Sequence, residues 1–247
     1  MRKYSISSDP IVVNSVPKTK NMLLELSHIT RSYKDGDSQN TRKVLDKISL
    51  SIDSGASVAI TGPSGSGKST LLHIMGTLDR PDSGTVRFRG TDISMLTEPE
   101  LAVIRNRHLG FVFQLHYLLP QLNLLENILI PVLPLQDRIK YGAAEKRALD
   151  LLELVGLKDR IRQRPGQMSV GECQRAALVR ALITGPELIL ADEPTGSLDH
   201  KTAIIMGDLL KELNKNFSVA MVVVTHSMEL AKSMDTIYHL EDGKLVI

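Results

Sequence analysis

Two stretches of the chain hold residues whose order suits phosphate chemistry. Gly62-Pro63-Ser64-Gly65-Ser66-Gly67-Lys68-Ser69 fits G-x-x-x-x-G-K-[ST], in which successive backbone N–H groups wrap a phosphate and the following helix adds its positive end. Glycines serve there because the backbone must come close to phosphate oxygens. Lys68 is placed to lie along the β- and γ-phosphates of a nucleotide and Ser69 to ligate Mg²⁺, with Thr70 continuing the loop. Average residue frequencies let a chain this long match the pattern by chance on the order of one per cent of the time. The apolar run SVAIT before the loop and LLHIMGTL after it supply the strand and helix that the motif requires.

The second stretch is LILADE (188–193), four apolar residues ending in two carboxylates. Alone it reads equally as a solvated strand end, since acids are mostly surface residues. Beside a phosphate loop, Asp192 is expected to hold Mg²⁺, directly or through water, and Glu193 to orient or deprotonate the attacking water. Gln114 after FVF and His226 after VVVT sit at strand ends in the same way. In a parallel sheet those ends share one edge, where a glutamine can position metal or water and a histidine can bond the γ-phosphate. A lone histidine is more often structural; convergence with Lys68 and Glu193 favours catalysis. Tyr33, in RSYKDG, either stacks on a base or is an ordinary tyrosine at a strand end.

A second anion-binding turn opens MSVGECQRA (168–176), where Ser169 and Gly171 precede a helical run. With one phosphate site already formed around Lys68, this turn lacks a substrate of its own. Its expected target is the γ-phosphate held by a second copy of the chain.

These residues need a frame. The chain has 247 residues, 42% of them apolar, enough for a sizeable core, and 30 basic against 28 acidic residues give no general field for nucleic acid or anionic membrane. The single cysteine, Cys173, allows no internal disulfide and no multi-cysteine metal site, and suits a reducing compartment such as the cytoplasm. Residues 1–20 read as a polar tail without a signal peptide's apolar region, and 21–247 as one domain. The most apolar later stretch, LLENILIPVLPL, is broken by Glu126, Asn127, Pro131 and Pro134 and falls short of the roughly 20 residues a membrane span needs. MLLELSHITRSY and VLDKISLSID predict an antiparallel β layer at the front, and 115–185 a mostly helical region. Asp242-Gly243 predicts a closing hairpin. Strands alternating with helices elsewhere predict a parallel sheet covered on both faces.

The order Tyr33, GPSGSGKST, Gln114, MSVGE, LILADEP, SLD and His226 resembles the nucleotide-binding subunit of an ABC transporter, from residue 22 almost to the end. The resemblance implies an α/β fold: a P-loop NTPase (RecA-like) core with an N-terminal antiparallel β subdomain and an inserted helical signature subdomain. It also implies a head-to-tail homodimer sandwiching two ATP molecules with Mg²⁺, each faced by one copy's phosphate loop and the other's Ser169, Gly171 and Glu172. Asp199 is then expected to reach across the pair, Tyr33 to stack on adenine, and Gln114 to lead toward an integral membrane permease. The subunit is expected to be peripheral, at the cytoplasmic face of the inner membrane and in contact with it only through the permease, with no nucleic acid bound.

The signature departs from the usual LSGGQ: Met168 replaces Leu, Val170 replaces the first Gly, and Cys173 stands where relatives often carry a charge. A β-branched Val170 tolerates a positive φ badly and adds bulk, so it is expected to weaken closure. Cys173, near a helix N-terminus, is either a thiol of lowered pKa or simply a small residue. RNRHLGFVFQLHYLLPQLNLLENILIPVL resembles most the ATPases of lipoprotein release, ahead of macrolide or peptide efflux and division-complex systems with related permeases (MacB-like, FtsX-like). A GTP switch is disfavoured because Asn214-Lys215-Asn216-Phe217 lacks the closing Asp of a guanine-reading motif. A repair ATPase is disfavoured because no coiled-coil heptads interrupt the domain.

Overall fold

The computed structural model describes residues 22–34, 41–135 and 138–246, so the expected polar tail over 1–20 and most of the turn KDGDSQN lie outside the described residues. Strands β1 (Met22–Lys34) and β2 (Thr41–Asp53) pair antiparallel, and β3 (Ser57–Thr61) leads through the glycine loop into helix α1 (Lys68–Met75). There follow β4 (Ser83–Phe88), β5 (Thr91–Asp92), α2 (Glu98–His108), β6 (Leu109–Val112), α3 (Leu124–Leu129), α4 (Arg138–Leu154) and α5 (Val170–Leu182). The last third is β7 (Leu188–Asp192), α6 (His200–Phe217), β8 (Ala220–Val224), α7 (Met228–Lys232), β9 (Thr236–Glu241) and β10 (Lys244–Val246).

The strands form two sheets. The first, in the order β2-β1-β4-β5, is antiparallel, and β2 buries Leu45, Ile48, Leu50 and Ile52 while the residues between them face outward. That alternation is what a sheet with one solvated face requires. The second has the order β10-β9-β3-β8-β7-β6, parallel except for β10. Every residue of β3 and β8 is buried, which is why SVAIT is apolar between Ser57 and Thr61 and AMVVV is apolar throughout.

Two apolar cores flank this second sheet. Between the sheets, Leu71, Leu72, Ile74 and Met75 of α1 pack with Leu24, Ile52, Val58, Ile60 and Leu190. On the opposite face, α3, α4, α5 and α6 contribute Ile128, Leu152, Ala176, Leu178 and Leu210, packed on Val112, Ile189, Met221 and Val223. Parallel strands sandwiched this way deliver every C-terminal end to a single edge, because each crossover must return to the opposite end. The Asp-Gly turn closes the sheet as expected: Asp242 (φ 48°) and Gly243 (φ 72°) both take the left-handed conformation that a two-residue hairpin demands.

The region 115–185 is less uniformly helical than its leucines suggest, since no helix runs between β6 and α3. There Asn127, wholly buried, replaces helical hydrogen bonds. Its Nδ2 donates to the carbonyls of Leu119, Leu122 and Asn123, and its Oδ1 accepts from Leu119 N at 2.7 Å. Every polar atom of that amide is satisfied, so the irregular segment is stitched to the start of α3.

Candidate active site

The phosphate loop joins β3 to α1 through backbone only glycine can adopt. Gly62 (φ 147°) leaves no room for a side chain, because a Cβ there would lie 2.2 Å from the Leu240 carbonyl oxygen, and Gly67 (φ 102°) caps α1 in the left-handed region. Lys68 is 8% exposed, and its ammonium donates to the carbonyls of Gly62 and Pro63 at 2.9 Å each. An ammonium has three protons, so one remains for an anion in the loop. Ser66 Oγ is buried without a hydrogen-bond partner, which suits a loop shaped for a polar guest.

Beside the loop, Ser69 Oγ donates to Asp192 Oδ1 at 3.0 Å. Burial pushes the Asp192 carboxyl above its usual range, and the Ser69 hydrogen bond opposes that shift. A hydroxyl and a partly desolvated carboxylate in contact are hard oxygen donors, the set that fits Mg²⁺.

Glu193 follows at φ 45°, a left-handed setting unusual for a residue with a side chain, fixed by its N–H donating to Val224 O at 2.9 Å. Three groups converge on its Oε2: the Thr225 hydroxyl at 3.1 Å, the His226 backbone N–H at 3.2 Å and His226 Nδ1 at 2.9 Å. Oε2 is therefore occupied, and the other oxygen, Oε1, is the one available to a water. Gln114 stands exposed after β6. Its carbonyl accepts from Ser197 Oγ at 3.1 Å, and its side-chain nitrogen lies 3.1 Å from where a Gly196 Cβ would be. Lys68, Ser69, Asp192, Glu193 and His226 thus meet at the ends of β3, β7 and β8, with Gln114 at the end of β6 beyond them.

Other expected site residues stand apart from this edge. Tyr33 donates its hydroxyl to Asp79 Oδ2 at 2.8 Å and carries the Arg31 guanidinium 4.7 Å over its ring, so one ring face is already covered. Asp199 caps α6, its carboxylate accepting from the Thr202 N–H at 3.0 Å and hydroxyl at 2.6 Å, and these bonds hold its pKa below the usual range. Ser169 caps α5 reciprocally with Glu172: Glu172 N donates to Ser169 Oγ at 3.2 Å, and Ser169 N donates to the Glu172 carboxylate at 2.8 Å. Gly171 is needed for space, since a Cβ there would meet Thr202 Cγ2 at 2.5 Å.

One expectation is corrected and one pair of alternatives is decided. Val170 is the first residue of α5 and takes no positive φ, so backbone strain is not the cost it brings; only the bulk of its 53% exposed side chain remains. Cys173 is 2% exposed, its Sγ 3.6 Å from Pro165 O, and burial pushes its thiol up, the opposite of an activated thiolate. Thr225 escaped the sequence reading. A β-branched residue ending VVVT passes for strand filler, and only the fold shows its hydroxyl on Glu193.

The reciprocal cap makes a measurable claim. Ser169→Ala is expected to cost about 0.5–2 kcal/mol of stability in denaturant unfolding. The Ser169 N–H also holds the Glu172 carboxyl below its usual range. A depressed carboxylate pKa contributes stability that is present above the unfolded value, about 4.3, and lost as pH falls through the lower folded value. Removing the Ser169 hydroxyl removes only part of that depression, so the gap between wild type and variant should narrow below about pH 4.

Comparison with known proteins matches this geometry. The ABC transporter family profile matches residues 45–196. A lipoprotein-releasing system ATP-binding protein LolD of Pseudoalteromonas translucida is 44% identical over 226 residues, covering 92% of this chain and 96% of that one. The LolD of Geobacter metallireducens is 46% identical over 224 residues, covering 91% and 98%. A solved ATP-binding cassette in a dimeric post-hydrolysis state, bound to ADP and Pi, superposes with a TM-score of 0.81 at 38% identity, covering 91% of this chain and 97% of that one. With its phosphate loop, its acidic strand end and these likenesses over nine-tenths of its length, the chain belongs to the ABC transporter family, as an ATP-binding and ATP-hydrolysing cassette.

Proposed function

We propose that this cassette powers the release of lipoproteins from the inner membrane, working as a head-to-tail dimer beneath integral permease subunits of the MacB-like and FtsX-like type. One observation carries the choice of cargo: relatives at 44–46% identity, matched along nearly their whole length, are lipoprotein-releasing ATPases. No helix among the described residues is long and apolar enough to cross a membrane.

In this reading the remaining Lys68 proton and the loop N–H groups grip the β- and γ-phosphates, and Tyr33 offers its open ring face to adenine. Ser69, Asp192 and Gln114 would hold Mg²⁺, which when bound neutralises charge on the phosphate oxygens. Glu193 orients the attacking water and takes its proton, while Thr225 and His226 fix the carboxylate from behind. His226, 69% exposed on its side chain, is free to turn toward the γ-phosphate. The second copy brings Ser169, Gly171 and Glu172 to the γ-phosphate and Asp199 to the seam between subunits, so hydrolysis is tied to closure.

The test is to solubilise native membranes gently, capture the tagged chain and identify what accompanies it. Two different four-helix permeases together with lipoprotein are expected. A single homodimeric permease would move the reading to efflux or division, and capture without any membrane protein would overturn the transport role.

A further inference from the structure

Helix α5 does more than present the signature turn. Two of its polar side chains point inward and hold the backbone that follows β6. Gln174 is wholly buried; its Nε2 donates to Phe113 O at 2.7 Å, and its Oε1 has no hydrogen-bond partner. Two turns on, Arg180 donates Nη1 to Tyr117 O and Nη2 to His116 O, at 2.7 Å each. Among the described residues no carboxylate pairs with Arg180, and burial alone pushes its pKa down. A half-buried cation held by two carbonyls is a costlier way to pack a helix than an apolar side chain, which would fill the place without drawing a charge from water. What the guanidinium supplies instead is a rigid fork that fixes two successive carbonyls at once.

The backbone held in this way is under strain and faces outward. Tyr117 takes φ 46°, a conformation that residues with side chains rarely adopt, and its ring stands edge-on to Phe113 with centroids 5.6 Å apart. Leu115 and Tyr117 are each 60% exposed, and Leu119 is 47% exposed. Gln114 lies within this segment, at the nucleotide edge. A second route from nucleotide to these exposed residues therefore exists, through Gln114 itself.

We propose that Arg180, with Gln174, is a positioning residue that fastens residues 113–117 to the signature helix. When Ser169 and Gly171 engage nucleotide bound by the second copy, the exposed segment moves with α5 as one body. Arg180 lies eleven residues beyond Ser169 along the helix, a stiff span of about 16 Å at 1.5 Å per residue. The inference rests on the nucleotide-sandwich reading and names the residues that carry its closure outward. It predicts that the segment responds to ATP through the signature helix rather than through Gln114.

Hydrogen–deuterium exchange on the full chain tests this, in a Glu193→Gln background that retains ATP and Mg²⁺. ATP should slow exchange at residues 169–172 and alter it at 114–119. Adding Arg180→Lys keeps the charge but removes the fork. The response at 169–172 should persist while that at 114–119 falls several-fold. An undiminished response at 114–119 would overturn the proposal in favour of the Gln114 route. Gln174→Leu removes the Phe113 bond together with the unpartnered oxygen, so the fold should tolerate it. It too should weaken the 114–119 response, and an unchanged response would count against the clamp even if Arg180→Lys failed to fold. If ATP leaves 169–172 unprotected in the Glu193→Gln chain itself, the sandwich reading fails and this inference falls with it.

Discussion

Replacing Glu193 with Gln is expected to lower ATP hydrolysis by about 10²–10⁴-fold, while ATP binding persists and the ATP-bound pair of chains becomes long-lived. The substitution keeps side-chain volume and leaves an oxygen to accept from the Thr225 hydroxyl and the His226 backbone N–H. Glutamine meets the φ of 45° on the same terms as glutamate, so the strand end should hold its shape. What disappears is the capacity to take a proton from water. Neither Lys68 nor Ser69 is altered, so the phosphates are still gripped, and closure that awaits hydrolysis to reopen should accumulate. Phosphate release measures the first effect, and sedimentation with and without ATP and Mg²⁺ measures the second. Hydrolysis at an unchanged rate would remove Glu193 from water activation and make His226, whose ring nitrogen lies 2.9 Å from the carboxylate, the next base to test.

The sequence showed which residues share one edge of the parallel sheet because the constraints there are local. A loop that wraps phosphate needs glycine at Gly62 and Gly67 whatever surrounds it, and strands buried on both faces carry continuous apolar runs, as VAI, LILA and AMVVV do. Polar residues just past each run then mark the edge, as Asp192 after LILA and His226 after VVVT do. Asp242-Gly243 was legible for the same reason, its turn being decided by two residues.

Contacts made through the fold were not legible. Nothing in VVVT tells a strand threonine from one whose hydroxyl restrains the Glu193 carboxylate. Nothing in ADEP announces that Glu193 sits in left-handed backbone, because that is imposed by β8 alongside it. Val170 was misjudged by assuming a turn where the capping box had already begun a helix. Of the two readings of Cys173, burial against Pro165 selects the plain small residue, which the residues alone could not decide. Nothing beside Arg180 in the chain announces its role, because its partners lie more than sixty residues earlier.

The head-to-tail arrangement can be tested with two variants that are each inactive alone. Lys68→Met removes the cation from the phosphate loop, where the ammonium donates to the carbonyls of Gly62 and Pro63. Ser169→Asp keeps a residue that caps a helix as well as serine does, so α5 should still start where it does, but it sets a negative charge against the γ-phosphate of the facing copy. Each homodimer then carries the same defect in both composite sites. Mixed in equal amounts with free exchange, half the dimers pair one chain of each kind. In those, one site joins an intact loop to an intact signature, and the other gathers both defects. The mixture should therefore recover about one quarter of wild-type hydrolysis, from near zero in either parent, if the two sites turn over independently. A site completed within one chain would give no such recovery, because each chain carries its own lesion into every dimer. Recovery requires that Ser169 of one copy serve Lys68 of the other, the arrangement that the capped turn, lacking a phosphate loop of its own, calls for.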